Sequence, residues 1–242
     1  MSTPLSRKST LAEIEQRFDH DVERFSNLDT GQVATIDAPL AMELITTAAL
    51  AATPAATRIL DIGCGAGNNT VKLLRCRGGN LDCDLNDLSM PMLVRAQQRV
   101  AQETSGRVNI IQGDFRTVPF ADDGYDIILA AAVLHHLRDE QDWLAAFARI
   151  YNLLRPKGSF WATDLVGHEI DPVQRLMWRR YGDYLEAAGG GEFREKAVHC
   201  IDQEDSPRPV TFQLDLMRRV GFKSVDILHK NSCFAAFGGI RD

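Results

Sequence analysis

The stretch that most constrains this chain is Arg58 to Thr70, R-I-L-D-I-G-C-G-A-G-N-N-T. A short apolar run, Ile59, Leu60 and Ile62, carries one acid, Asp61. Gly63, Gly65 and Gly67 follow, and a helical pattern begins near Asn69. Strand, glycine turn and helix in that order form the opening unit of a doubly wound α/β domain. Glycine tolerates positive φ and lets a ligand approach the main chain. The helix N-terminus adds free N–H groups and a partial positive charge. The stretch therefore reads as a small-molecule cradle.

Alternating strands and helices extend that unit. Strands are expected at 58–62, 80–86, 108–112, 125–131 and 158–164, with helices from 69, 91 and 139 between them. The fourth run is apolar almost throughout, as suits a strand covered on both faces. Such alternation implies a parallel sheet with right-handed crossovers. Upstream, Ser9 or Thr10 can cap a helix from Leu11 that places Ile14, Phe18, Val22 and Phe25 on one face. A second helix is expected over 34–50, closed by Pro54, and residues 1–9 are expected to fray. Downstream, 172–188 reads as a helix with Trp178, Tyr181 and Tyr184, broken at Gly189-Gly190-Gly191. A polar stretch, 202–209, precedes a helix at 210–220. A hairpin over 223–237 turns at Lys230-Asn231. The expected organisation is a single domain in four segments: N-terminal cap helices 1–57, the α/β core 58–164, a substrate cap 165–208, and a helix with hairpin 209–242.

Composition narrows the partners. A net charge of −6 argues against strong non-specific nucleic-acid binding. The five cysteines are scattered without C-x-x-C, which fits a reducing cytoplasm and neither disulfides nor structural zinc. No apolar leader opens the chain, and no run approaches the roughly 20 residues of a membrane span.

The glycine cluster alone is ambiguous. A dinucleotide fingerprint needs a glycine where Asn68 stands. Three later features qualify it. Asp87, in D-L-S-M-P-M-L, sits at the tip of strand two, with Leu88 beside it, where a carboxylate can accept both ribose hydroxyls. Asp84 is its competitor. Asp114 and Phe115 follow strand three, where a carboxylate can accept an exocyclic amine and an apolar side chain can cover a ring. Strand four ends in A-A-A-V-L-H-H-L, small residues from Ala130 where the sheet opens. Asn68 and Asp114-Phe115 count against a nicotinamide dehydrogenase.

In this order and spacing, D-I-G-C-G-A-G, D-L-S-x-P-M-L, G-D-F and V-L-H-H-L resemble the class I S-adenosylmethionine-dependent methyltransferases. The resemblance covers about 58–164, and the C-terminal hairpin resembles the fold's extra antiparallel strand. It implies a Rossmann-like, doubly wound, seven-stranded, mostly parallel sheet flanked by helices. S-adenosylmethionine is the implied cofactor, with S-adenosylhomocysteine as product. Gly63 and Gly65, with Cys64 between them, would lie under the methionine part, and Asp61 near its ammonium. Asp87 would hold the ribose and Asp114 with Phe115 the adenine. Ala130 would bring backbone near the sulfonium.

The outer segments are similar to uncharacterised bacterial small methyltransferases. They carry F-D-x-x-V-x-R-F at 18–25 and the D-L-V-G-H-E, W-R-R-Y and H-K-N-S-C-F-A-A-F patterns. More remotely they resemble the carboxy-S-adenosylmethionine synthase of tRNA wobble-uridine modification. That enzyme's arginine and tyrosine have no clean match: Arg194 and Lys196 are only near one, and Leu40 falls at the other. Methyl transfer to a small-molecule acceptor is therefore the expected activity. A tRNA-related enzyme using a carboxylated cofactor and a non-catalytic cofactor-binding module are the alternatives. Asp164 and His135 are the candidate catalytic residues, since a protonated acceptor needs a base. His168-Glu169 suggests no third ligand, so no metal is expected. Arg175 and Arg179 read as a solvated face. A monomer or homodimer in the cytoplasm completes the expectation.

Overall fold

The computed structural model describes residues 3–27 and 31–242. Seven strands form one sheet: β1 (Arg58–Ile62), β2 (Asp82–Asp87), β3 (Val108–Gln112), β4 (Tyr125–Ala131), β5 (Leu154–Leu165), β6 (Ser224–Asn231) and β7 (Phe234–Ile240). Their order is β3-β2-β1-β4-β5-β7-β6. The first five run parallel, and β7 lies antiparallel between β5 and β6. Strand order reverses between β1 and β4, and a crevice opens there beyond the carboxyl ends of the strands.

The helices are α1 (Leu11–Asp19), α2 (Val22–Ser26), α3 (Ala38–Ala52), α4 (Asn68–Arg77), α5 (Met90–Val100), α6 (Glu140–Leu153), α7 (Asp171–Glu204) and α8 (Val210–Val220). Among the described residues they cover an apolar core on each sheet face and a third, smaller cluster of Ile36, Leu165, Tyr181, Leu185, Cys233 and Phe234. On one face Trp143, Phe147, Phe160 and Phe222 are fully buried; on the other α3, α4 and α5 pack Ile45, Leu74 and Leu93 against Ile59 and Leu85. Fully burying one such side chain contributes about 1.5–3 kcal/mol.

Several sequence expectations need correction. The single helix over Phe18 and Phe25 is two, because the chain leaves helical geometry at Asp21 (φ −106°, ψ 11°). Asp and His are poor helix formers, and Asp19-His20-Asp21 concentrates them. The two rings still meet across the break, with centroids 5.5 Å apart. Residues 3–9 are not frayed. Thr3 donates to Asp202, Lys8 Nζ donates to the carbonyls of Asp202 and Asp205, and Ser9 N–H donates to the Gln203 carbonyl. The second helix starts at Ala38, after Asp37 takes φ 56°, and Pro39 in its first turn suits that start. Strand β5 begins at Leu154, directly after α6. The glycine triplet does break the helix, as expected: Gly190 leaves helical angles (φ 82°, ψ 177°), and α7 is two helical halves, the second running on to Glu204. The β6–β7 turn lies at Ser232-Cys233, where Ser232 has φ 50°, not at Lys230-Asn231.

Candidate active site

Three layers meet at the crevice: the strand tips below, α1 and α2 on one side, and the second half of α7 on the other. They enclose a cavity of about 560 Å³, within the range of small-molecule sites. No helix among the described residues is long and apolar enough to cross a membrane.

The floor comes from local sequence. Gly63, Gly65 and Gly67 all have positive φ (60°, 50° and 82°) and turn the chain from β1 into α4. Gly63 cannot carry a side chain, because a Cβ there would lie 2.2 Å from Val133 Cγ2. A Cβ on Gly65 would meet nothing within 4 Å, so its surface stays open to the cavity it lines. Asp87 braces this turn: Oδ2 accepts from Gly65 N–H at 2.8 Å and Oδ1 from Ser89 N–H at 2.9 Å. Burial raises the Asp87 carboxyl above its usual range. Asp84, its competitor, faces away from the cavity and binds Arg58, Asn109 and the Tyr125 hydroxyl.

The other expected cofactor residues divide. Cys64, Leu88, Asp114 and Phe115 line the cavity. Asp114 also holds Arg116 in a short-range fork, and Arg116 reaches on to Asp142. Burial pushes the Cys64 thiol well up, which suits a packing role. Ala130 does not line the cavity; Ala131, the last residue of β4, and Ala132 and Val133 beyond it form the rim. Asp61 lies below the lining, fully buried. Its Oδ2 accepts from Thr70 Oγ1 at 2.7 Å, while Oδ1 has no partner. Burial, above all, raises this carboxyl to about 7. An orphaned buried acceptor beside an open glycine cradle fits a ligand bearing an ammonium group.

Asn68 has a role the sequence did not suggest. Its amide donates to the Phe25 carbonyl and accepts from Arg99, fastening α2 and α5 to the glycine turn.

The opposite end is built across long distances. Asp164, at the tip of β5, takes the His135 backbone N–H at 3.0 Å and makes a short contact with His135 Nδ1. Asp205, just past α7, lies 3.7 Å from His135 Nε2 and 3.0 Å from His136 Nδ1. Burial would lower the His135 imidazole, but the Asp205 and Asp164 carboxylates outweigh it and raise it to about 9. Burial would likewise raise Asp205, yet the two imidazoles hold it below its usual range. Beside them Arg17 grips Glu204 through two nitrogens, at 2.7 and 2.5 Å. Sequence reading missed Asp205, Glu204 and Arg17. Asp205 stood in an ordinary polar run, and nothing local marks which acid of such a run reaches a site.

Of Trp178, Tyr181 and Tyr184 only Tyr181 lines the cavity, where Phe193 from the second half of α7 joins it. Its hydroxyl donates to Ala34 and that of Tyr184 to Val33, which pins α7 to the segment before α3. Arg175 and Arg179 are exposed. His168 engages Gln174 and Lys230, and Glu169 accepts from Thr211. Arg194 turns to Glu186 and Leu40 is exposed; only Lys196 of that group faces the cavity.

A family model described as a methyltransferase domain matches residues 59–158. A demethylmenaquinone methyltransferase of Lactiplantibacillus plantarum is 32% identical over 182 residues, 74% of this chain and 75% of that protein. A ubiquinone/menaquinone biosynthesis C-methyltransferase of Marinomonas is 32% identical over 52% of this chain and 48% of its own length. The chain belongs to the class I S-adenosylmethionine-dependent methyltransferases. It spans about half the length of most of the curated relatives it matches. Among solved structures, the Burkholderia thailandensis 1,6-didemethyltoxoflavin-N1-methyltransferase, with bound 1,6-didemethyltoxoflavin and S-adenosylhomocysteine, shares the fold. Its TM-score is 0.64 at 17% identity, covering 100% of this chain and 91% of that one.

Proposed function

We propose that this protein transfers a methyl group from S-adenosylmethionine to a small-molecule acceptor bound in the same cavity. One observation carries the reading: a single enclosed space joins the glycine turn, Asp87 and Asp114-Phe115 to the His135–Asp164–Asp205 cluster. S-adenosylmethionine supplies an already activated methyl on a sulfonium. The protein's part is to bind, orient and keep out water.

The site residues take these roles in the proposal. The Asp61 Oδ1 orphan and the Gly63–Gly65 cradle receive the methionine end. Asp87 receives the ribose, Asp114 and Phe115 the adenine, and the backbone after Ala130 borders the reacting centre. His135 and Asp164 serve the acceptor end: Asp164 holds the ring at Nδ1, and Nε2 faces the cavity beside Asp205. An acceptor with an apolar body is favoured, because Ile14, Phe18, Phe25, Met42, Phe193 and Phe234 line the remaining wall. The quinone-pathway names of the relatives point the same way. A carboxylated cofactor for tRNA chemistry is less favoured, since Lys196 is the sole counterpart of its expected arginine that lines the cavity.

Titration calorimetry with S-adenosylhomocysteine is the first test, and failure of folded protein to bind it would sink the proposal. Methyl transfer from labelled cofactor to a panel of hydroxylated aromatics and quinols separates an enzyme from a binding module.

A further inference from the structure

His135 and His136 follow β4, while Asp205 follows α7, and the fold closes them together at the acceptor end of the cavity. Asp205 Oδ1 lies 3.0 Å from His136 Nδ1 and 3.7 Å from His135 Nε2. The three donor atoms all lie within 4.8 Å of one another. Ligands held at about 2.1 Å on a tetrahedral ion are about 3.4 Å apart, close to the two spacings from Asp205. His136 Nδ1 and Asp205 Oδ1 are both buried and face one another at 3.0 Å without an aligned hydrogen bond between them. Asp205 is only 8% exposed. Such atoms are costly unless something satisfies them. Asp164 adds an independent sign. Its carboxylate engages His135 Nδ1 and so turns Nε2 toward Asp205, the arrangement that orients metal-ligating histidines, with the Nε2 proton released when an ion binds.

We propose that His135 Nε2, His136 Nδ1 and Asp205 Oδ1 bind one divalent transition-metal ion, with Asp164 as the residue that positions His135. Two imidazoles and one carboxylate suit Mn²⁺, Fe²⁺, Co²⁺ or Zn²⁺ better than Ca²⁺ or Mg²⁺. Three protein ligands leave coordination positions open, and all three residues line the cavity. An oxygen of the acceptor fits there. The acceptor class is then a molecule with a hydroxyl next to its reacting atom, bound as the oxyanion because the metal lowers its pKa. This last step rests on the methyltransferase reading; the ion site does not.

The test is titration of Co²⁺ into chelator-treated full-length protein, read by visible ligand-field absorption and by calorimetry. One ion per chain is expected. Binding should vanish in Asp205→Asn and in His136→Gln, and weaken about 10- to 100-fold in Asp164→Asn. Circular dichroism melts establish that each variant folds, and if Asp205→Asn does not, His136→Gln carries the test. Cys200 also lines the cavity, so Cys200→Ser must retain binding. Absence of Co²⁺ and Zn²⁺ binding by folded protein overturns the site, as does binding that survives both ligand variants or is lost in Cys200→Ser. Ion binding by a protein that fails to bind S-adenosylhomocysteine would sustain the site and sink the methyl-transfer reading. Cofactor binding without ion binding would do the reverse.

Discussion

The two ends of the cavity are made in different ways. At the glycine-turn end, Asp87 and Asp114 are held by close neighbours in sequence or on the adjoining strand, with the bonds of Asn68 to Phe25 and Arg99 the long-range exception. Gly63 to Gly67 turn within five residues, Asp87 caps the next helix turn through Ser89, and Asp114 folds onto Arg116. At the acceptor end, the partners are remote. His135 meets Asp205, Arg17 meets Glu204, and Thr3 meets Asp202. The first end can form as soon as the sheet does. The second exists only when the N-terminal helices and α7 have closed over it. A local motif thus makes a cofactor end that many chains can share, while long-range closure makes an acceptor end particular to one chain.

Breaking the cofactor end should have the largest effect. Gly63→Ala puts a Cβ against Val133 at a residue with φ 60°. Denaturant unfolding should show a loss of about 2–5 kcal/mol, combining overpacking with left-handed strain. An unchanged midpoint would mean the turn is less tightly closed than described. Asp87→Ala removes the brace on Gly65 and the proposed ribose contact. S-adenosylhomocysteine should bind about 2–3 kcal/mol more weakly, roughly 30- to 150-fold, by calorimetry.

The acceptor end should respond differently. Arg17→Ala leaves Glu204 buried without its partner. A stability loss of about 1–3 kcal/mol is expected, tempered because Arg17 is partly exposed. Acceptor KM should rise while cofactor affinity stays within twofold of the parent, roughly what additivity between separated sites allows. An equal fall in both would erase the distinction between the ends.

The remaining effect concerns pH. Burial raises the folded Asp61 carboxyl to about 7, above an unfolded value of about 4. The folded chain therefore holds this proton more tightly. The associated stability is full below about pH 4 and is lost as pH rises through 7. Asp61→Asn should flatten that slope in melts recorded between pH 5 and 8. A bound ammonium group reverses the preference, so cofactor binding should release a proton, measurable by calorimetry in buffers of different ionisation enthalpy.

The legible part of the molecule follows the same division. The strand–turn–helix at 58–77, the acid at the tip of β2 and the apolar β4 carry their meaning in spacing alone. Hydrophobic period and turn chemistry are local, and so is the helix start at Thr10, where the expected cap closes a capping box with Glu13. The break at the three consecutive glycines is legible as well, because Gly190 takes a positive φ that ends the helical path. The misreadings have physical causes too. Ala130 and Ala131 both pair with β5 and point to opposite faces of the sheet, and only Ala131 of the two lines the cavity.

By itself, the sequence determined the alternation that makes a parallel sheet, the glycine turn and the acids that follow the strands. These depend on backbone preference and nearest neighbours, which a short window contains. Only the tertiary structure decided that Asp205 rather than Asp202 reaches the two histidines, that Arg17 seals Glu204, and that Asp61 is left with an unpaired buried oxygen. Each depends on which distant surfaces meet once the chain is closed and water is excluded, and no local pattern encodes that meeting.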